Sequence, residues 1–182
     1  MSDDSDSSST DPNAITIAVT VRAPAWRERL PEAERLVRQA ALAALVGAAD
    51  EAAPPQRAEV SLLLADDATV RRLNRDYRGR DKSTNVLSFP AAETFEAPGA
   101  GPVLLGDVVL AYETVRREAE EQDKSLAAHV SHLVVHGVLH LLGYDHEVEQ
   151  EAELMERREA AILDGLGLAD PYGRDASAGV QR

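Results

Sequence analysis

The chain has 182 residues, no cysteine and a formal net charge of −13, a length that fits one ordinary domain with a sizeable core. The lack of cysteine excludes disulfides and thiolate ligands, so any zinc must be held by nitrogen or oxygen. The negative charge by itself argues against a nucleic-acid partner, because phosphate binding depends mainly on Lys and Arg.

The first 14 residues carry four aspartates and no basic residue, which predicts a disordered acidic tail. This stretch is acidic and polar where a secretory signal would be basic and then apolar, and no apolar run approaches the roughly 20 residues of a membrane span. We therefore expect a cytoplasmic protein with no membrane contact. Its domain should cover residues 15–172, followed by a flexible tail at 173–182.

The hydrophobic pattern of the domain alternates between the two-residue period of strands and the 3.6-residue period of helices. Strands are predicted at 15–21, 59–65, 85–89 and 103–111, with a Gly/Pro-rich turn between the last two. Helices are predicted from Pro31 to about 48, from the Asp66-Asp67 cap toward Tyr77, and at about 112–123, 125–142 and 147–166. The pattern predicts an α+β fold, in which a small mixed sheet of about four strands packs with about five to six helices in a single domain.

One dense basic segment follows the second strand, and it weakens the argument from net charge. It holds six basic residues against only two acids, Asp76 and Asp81. The basic residues are Arg71, Arg72, Arg75, Arg78, Arg80 and Lys82. A solvated helix face is the simpler interpretation for the first three taken alone.

Three histidines around a glycine form the most informative pattern in the chain. On a helix, His136 and His140 lie on one face about 6 Å apart along the axis, so both rings can face one point. Gly143 tolerates the left-handed backbone that ends a helix, so the chain can return His146 toward the same point. Three imidazoles with an open fourth position describe a catalytic zinc site.

The same helix carries two further histidines, His129 and His132, and a packed or hydrogen-bonded core histidine is the ordinary alternative to a ligand. A continuous triplet of His132, His136 and His140 is excluded, because residues eight apart on a helix are about 12 Å apart. We therefore interpret His129 and His132 as packing residues or as partners of the ligands.

Four motifs in order give the chain a specific resemblance. They are the histidine string from His136 to His146, the segment Tyr77–Pro90, Leu105-Gly106-Asp107 and the closing Asp170-Pro171-Tyr172. Together they resemble the bacterial YbeY family of ribosomal RNA maturation factors, over about residues 15–172. The chain departs from the typical family pattern at Ser83, where proline is frequent, and in its long acidic N-terminus.

The resemblance implies a zinc-dependent, single-strand-specific endoribonuclease. Its implied roles are maturation of the 3′ end of small-subunit ribosomal RNA and ribosome quality control. The partners would be single-stranded RNA, ribosomal RNA and ribosomal particles, with no DNA expected. It also implies that His136, His140 and His146 bind one zinc per chain and that Arg78 is functionally important.

Elementary chemistry is consistent with these implied roles. Zinc with an open position lowers the pKa of water toward about 7 and polarises a phosphoryl oxygen. Arg78 could hold a phosphate with two parallel hydrogen bonds and offset charge in the transition state, although an exposed loop cation is its ordinary alternative. Asp107 or Asp145 could orient a ligand ring, and Asp145 could equally cap a turn.

Two other functions are compatible with parts of the pattern. The first is a metalloprotease, because the spacing of the three histidines is that of the metzincins. Those proteases place a glutamate general base at the position of Gly137, which leaves a protease here without its proton acceptor. The second is a non-catalytic ribosome-assembly factor whose zinc orders the fold, since an open coordination position shows only a capacity for chemistry.

Overall fold

The structure, a computed structural model, describes residues 15–48, 57–91, 103–145 and 147–173. The predicted acidic tail at 1–14, the predicted C-terminal tail beyond residue 173 and the candidate ligand His146 lie outside these ranges. None of the helices in the described ranges is long and apolar enough to cross a bilayer.

The described ranges contain four strands and six helices, which confirms the predicted α+β class. The strands are β1 (Thr16–Val21), β2 (Ala58–Ala65), β3 (Val86–Pro90) and β4 (Val103–Ala111). The helices are α1 (Ala25–Arg29), α2 (Ala33–Gly47), α3 (Asp67–Arg78), α4 (Tyr112–Glu121), α5 (Leu126–Leu141) and α6 (Glu149–Gly165).

The strands form one mixed sheet in the order β1-β2-β4-β3. Strands β1, β2 and β4 are parallel, and β3 pairs antiparallel with β4 at one edge. This register sets Ser88 of β3 opposite Val108 of β4.

Alternate residues of a strand face opposite sides of the sheet. On β4, Val108 and Leu110 join the larger core, which α2, α5 and α6 cover, whereas Val109 joins the smaller core with Val70 of α3. The helices are therefore unequally divided, with α3 on one face and the histidine helix α5 on the other.

Helix α1 is one element that the sequence pattern missed. Its five residues are too few to show a helical period. Trp26 holds it in place, because this fully buried side chain donates a hydrogen bond from Nε1 to Ala65 O at 2.9 Å. The ring also meets the edge of Tyr112, with centroids 5.1 Å apart.

Candidate metal centre

Helix α5 carries the candidate ligands and is fixed closely against the sheet. Ser125 caps its N-terminus by accepting a hydrogen bond from Ala128 N at 3.1 Å. At Gly137 a Cβ atom would stand 2.7 Å from Val108 Cγ1 and 3.1 Å from Ser88 Oγ. The Ser88 hydroxyl donates to the Gly137 carbonyl at 3.1 Å. The helix therefore approaches β3 and β4 at a point where only glycine fits.

The C-terminus of α5 has the geometry predicted from Gly143. This residue has a φ of +91°, which glycine adopts without strain. Gly143 N donates to His140 O at 3.0 Å, and Tyr144 N donates to Leu139 O at 3.1 Å. These two bonds form a Schellman motif, which satisfies the last carbonyls and turns the chain off the helix axis. A Cβ atom on Gly143 would meet nothing within 4 Å, so its role is conformational.

His136 and His140 face the same point, as their spacing predicts. Their Nε2 atoms are 3.1 Å apart. Two nitrogen ligands of a tetrahedral zinc at about 2.0–2.1 Å would lie about 3.3 Å apart. The side-chain separation therefore fits two ligands of one zinc ion.

A buried carboxylate holds His136 from the side opposite the candidate metal position. Glu159 on α6 is 0% exposed, and its Oε1 accepts a hydrogen bond from His136 Nδ1 at 2.5 Å. Its Oε2 accepts from His132 Nε2 at 3.2 Å and from the Tyr172 hydroxyl. Each hydrogen bond compensates a charge that would otherwise be costly to bury.

The ionisation of Glu159 determines the tautomer of His136. Burial raises the pKa of Glu159, but hydrogen bonds from His132 and His136 outweigh it and lower the pKa to about 2. An ionised carboxylate accepts only, so the proton of a neutral His136 ring resides on Nδ1. Its Nε2 then presents a lone pair toward His140, as a metal ligand requires.

The described residues do not test the third candidate ligand. Across the described residues, no group of three His, Asp or Glu side chains is arranged to hold a metal ion. His146 lies outside those residues, so the three-histidine site stays a prediction. The spacing of the His136 and His140 Nε2 atoms, the Gly143 turn and the carboxylate behind His136 all fit a zinc site that a third ligand would complete.

Arg78 lies at the sheet edge next to β3. It is the last residue of α3, and its Nη2 donates to Ser88 O at 2.7 Å. The guanidinium carbon stands 5.7 Å from the centre of the Phe89 ring. Ser88 in turn bonds Gly137 on the histidine helix, so one strand residue links Arg78 to α5. Within the described residues, the bond from Arg78 to Ser88 O uses one nitrogen of the guanidinium group.

The basic segment is partly neutralised. Arg71 forms a two-point ion pair with Asp81 at 2.8 and 3.0 Å, and Arg75 pairs with Asp76 at 3.0 Å. Both pairs are exposed, and they support the interpretation of these two arginines as a solvated helix face.

The sequence around this site matches a known protein family. The family model described as "Endoribonuclease YbeY" matches residues 27–167. The chain belongs to the YbeY endoribonuclease family. The match includes Arg78, His136, His140 and His146, together with Glu159.

Similar proteins in the YbeY family come from several bacteria, and each of those named here is called "Endoribonuclease YbeY". One from Paramagnetospirillum magneticum is 55% identical over 162 residues, covering 87% of this chain and 96% of the relative. One from Rhodospirillum rubrum is 56% identical, covering 87% of this chain and 82% of the relative. One from Azorhizobium caulinodans is 52% identical, covering 89% and 99%.

The carboxylate behind the YbeY-type histidine pair was missed by sequence reasoning, which named Asp107 and Asp145. Asp107 is exposed on β4 and Asp145 is half-buried after the Gly143 turn. Glu159 contacts the ring of His136, and the roles considered for Asp107 and Asp145 stay predictions. A signal was available, because Glu159 interrupts the apolar seam of α6 between Met155 and Ile162 at helical spacing, and a buried charge there needs a partner.

Proposed function

We propose that the protein is a zinc-dependent, single-strand-specific endoribonuclease that matures the 3′ end of small-subunit ribosomal RNA. We extend the proposal to a role in ribosome quality control in the cytoplasm, with ribosomal RNA and ribosomal particles as partners. The observation that carries it is the pair of Nε2 atoms 3.1 Å apart on His136 and His140, in a chain of the YbeY endoribonuclease family.

The proposed metal ligands are His136, His140 and His146, with one zinc per chain. When bound, zinc lowers the pKa of water and polarises a phosphoryl oxygen. Glu159 keeps the proton of His136 on Nδ1 and fixes the plane of its ring. The Gly143 turn directs the chain toward the third proposed ligand.

The proposed role of Arg78 is to bind the phosphate under attack. Its bond to Ser88 O and its position over Phe89 restrict the guanidinium before RNA arrives. A restricted planar fork loses little entropy when it binds two phosphate oxygens, and it stabilises charge that develops during cleavage.

The packing of Gly137 argues against the metzincin alternative. The direction in which a side chain would leave this residue points into β3 and β4, within 3.2 Å of Val108 and Ser88 atoms. A glutamate there could not enter that space without displacing the sheet. The chain thus lacks the protease general base, and its packing leaves no room for one.

One assay separates the remaining functions. Zinc-loaded wild-type and His136→Ala proteins are incubated with end-labelled single-stranded RNA, and in parallel with an unfolded protein. Cleavage of RNA by the wild type alone supports the endoribonuclease. Cleavage of protein alone would support the protease, and cleavage of neither would support a non-catalytic assembly factor.

A further inference from the structure

A cavity adjoins the candidate metal centre at His136. The cavity, of about 360 Å³, runs along α5 from His136 past His132 to His129, and is bounded on other sides by β3, α4 and the C-terminal segment. Seven helical residues separate its two ends, which is about 10 Å. That distance is on the scale of one nucleotide, so a chain with its phosphate at His136 can reach the far end with its base.

Part of the cavity lining is apolar or aromatic. Val86 and Leu133 belong to it, together with Pro171 and the ring of Tyr172. The Tyr172 ring stands edge-on to His132, with centroids 5.7 Å apart. Small-molecule sites combine such walls with a few fixed polar groups, in volumes of about 300–1,000 Å³.

The far end carries a carboxylate that is held in one orientation. Glu118 Oε2 accepts hydrogen bonds from Asn85 Nδ2 at 3.0 Å and from His129 Nε2 at 2.8 Å. Burial lowers the pKa of His129 and the Glu118 carboxylate opposes that shift, so a neutral ring donating from Nε2 fits the contact. Among the described residues, both donors to this side chain reach Oε2, which leaves Oε1 to accept from a ligand.

The charge of Glu118 determines which part of a nucleotide fits there. A carboxylate attracts N–H donors, so Glu118 suits the edge of a base, and Lys124, which lines the same cavity, offers a cation to a phosphate of the chain. Guanine presents two adjacent donors, N1–H and N2–H, on its Watson–Crick edge, and the two lone pairs of Oε1 can accept both. Adenine and cytosine place an acceptor beside their amino group. This edge is accessible only when the base is not paired.

We propose that this cavity binds one single-stranded nucleobase next to the scissile phosphate, and that Glu118 selects guanine. The inference rests on the proposed function for its substrate class. The cavity would then be a base-binding site in which Glu118 determines specificity. Because a paired base cannot present its Watson–Crick edge, such a site would favour single strands.

The test is RNA binding to the full-length protein, both zinc-loaded and metal-stripped, by fluorescence anisotropy at fixed salt. The probes are labelled five-nucleotide RNAs of uridine with guanine, adenine, cytosine, uracil or an abasic site in the middle. We expect the guanine probe to bind about tenfold more tightly than the uracil probe, the scale of one good base contact. Annealing the guanine probe to its complement should abolish the preference.

The matched variants are Glu118→Gln, which keeps the size of the side chain, and Glu121→Gln, an exposed acid on the same helix. Glu118→Gln should bind all four bases with similar affinity, while Glu121→Gln keeps the guanine preference. Equal affinity of wild type for all five probes would overturn the base site, as would an unchanged preference in Glu118→Gln. Cleavage is not needed for either result, so a failure of the proposed nuclease activity is seen separately.

Discussion

Glu159 and His136 are 23 residues apart in the chain, and the carboxylate Oε1 lies 2.5 Å from the imidazole Nδ1. The contact joins α6 to the histidine helix and explains why a glutamate is buried at 0% exposure. A carboxylate behind a metal-binding histidine fixes its tautomer and raises its basicity. The arrangement therefore ties the packing of α6 to the chemistry of the candidate centre.

The first prediction concerns this contact. Glu159→Gln removes the charge but keeps the size of the side chain, and should weaken zinc binding about 10- to 100-fold. Competition titration with a chelating dye measures the affinity, and thermal unfolding of the metal-free protein checks the fold. Glu153→Gln, an exposed residue on the same helix, is the control and should bind zinc like the wild type. Equal affinities in both variants would show that Glu159 has only a packing role.

The second prediction concerns Gly137. A Cβ atom would stand 2.7 Å from Val108 Cγ1, so Gly137→Ala should cost about 1–3 kcal/mol of unfolding free energy. Gly165→Ala is the matched control, because nothing lies within 4 Å of a Cβ there. Chemical denaturation measures both. Gly137→Glu completes the metzincin sequence pattern, and we expect it to be less stable still and to gain no peptidase activity. A stable, peptide-cleaving Gly137→Glu protein would refute the packing argument.

The third prediction concerns the helix end. Gly143→Ala introduces no clash, but its φ of +91° should make the substitution cost about 1–2 kcal/mol. Because relief of the strain would alter the path from Tyr144 to the third proposed ligand, zinc affinity should fall as well. Gly143→Asn should be milder, since asparagine tolerates this backbone region better. Wild-type zinc affinity in Gly143→Ala would mean that the Schellman turn does not position a ligand.

The fourth prediction concerns Arg78. Arg78→Ala should keep zinc content while lowering kcat/KM for single-stranded RNA by about 10²-fold or more. Arg78→Lys should recover little, because an ammonium lacks the planar fork. Arg72→Ala removes the same charge from α3 and should change cleavage far less. The rates are compared at one salt concentration, since phosphate binding depends steeply on salt. If Arg72→Ala and Arg78→Ala lowered kcat/KM equally, Arg78 would contribute only through its general positive charge.

Most features that could be predicted from the sequence depend on the spacing of residues close together in the chain. The strands and long helices followed from their hydrophobic periods, and the approach of His136 to His140 followed from a four-residue spacing on one helix. Gly143 ended that helix as predicted, because few residues other than glycine adopt a positive φ without strain.

Contacts between distant segments could not be predicted in the same way. Glu159 lies among several other acidic residues of α6, and only its place in the apolar seam distinguishes it. The contact of Tyr172 with Glu159 and the link from Arg78 through Ser88 depend on how helices and strands pack. The ion pair of Arg71 with Asp81 likewise required the fold, because the two residues are 10 apart.

The most direct test of the central claim is cleavage of end-labelled single-stranded RNA by metal-stripped protein as zinc is added back. We expect no cleavage without metal, and a rate that rises with zinc and levels off at about one ion per chain, as a single site requires. His140→Ala should stay inactive at the same zinc concentrations. Full activity of the stripped protein, or of His140→Ala, would contradict the account.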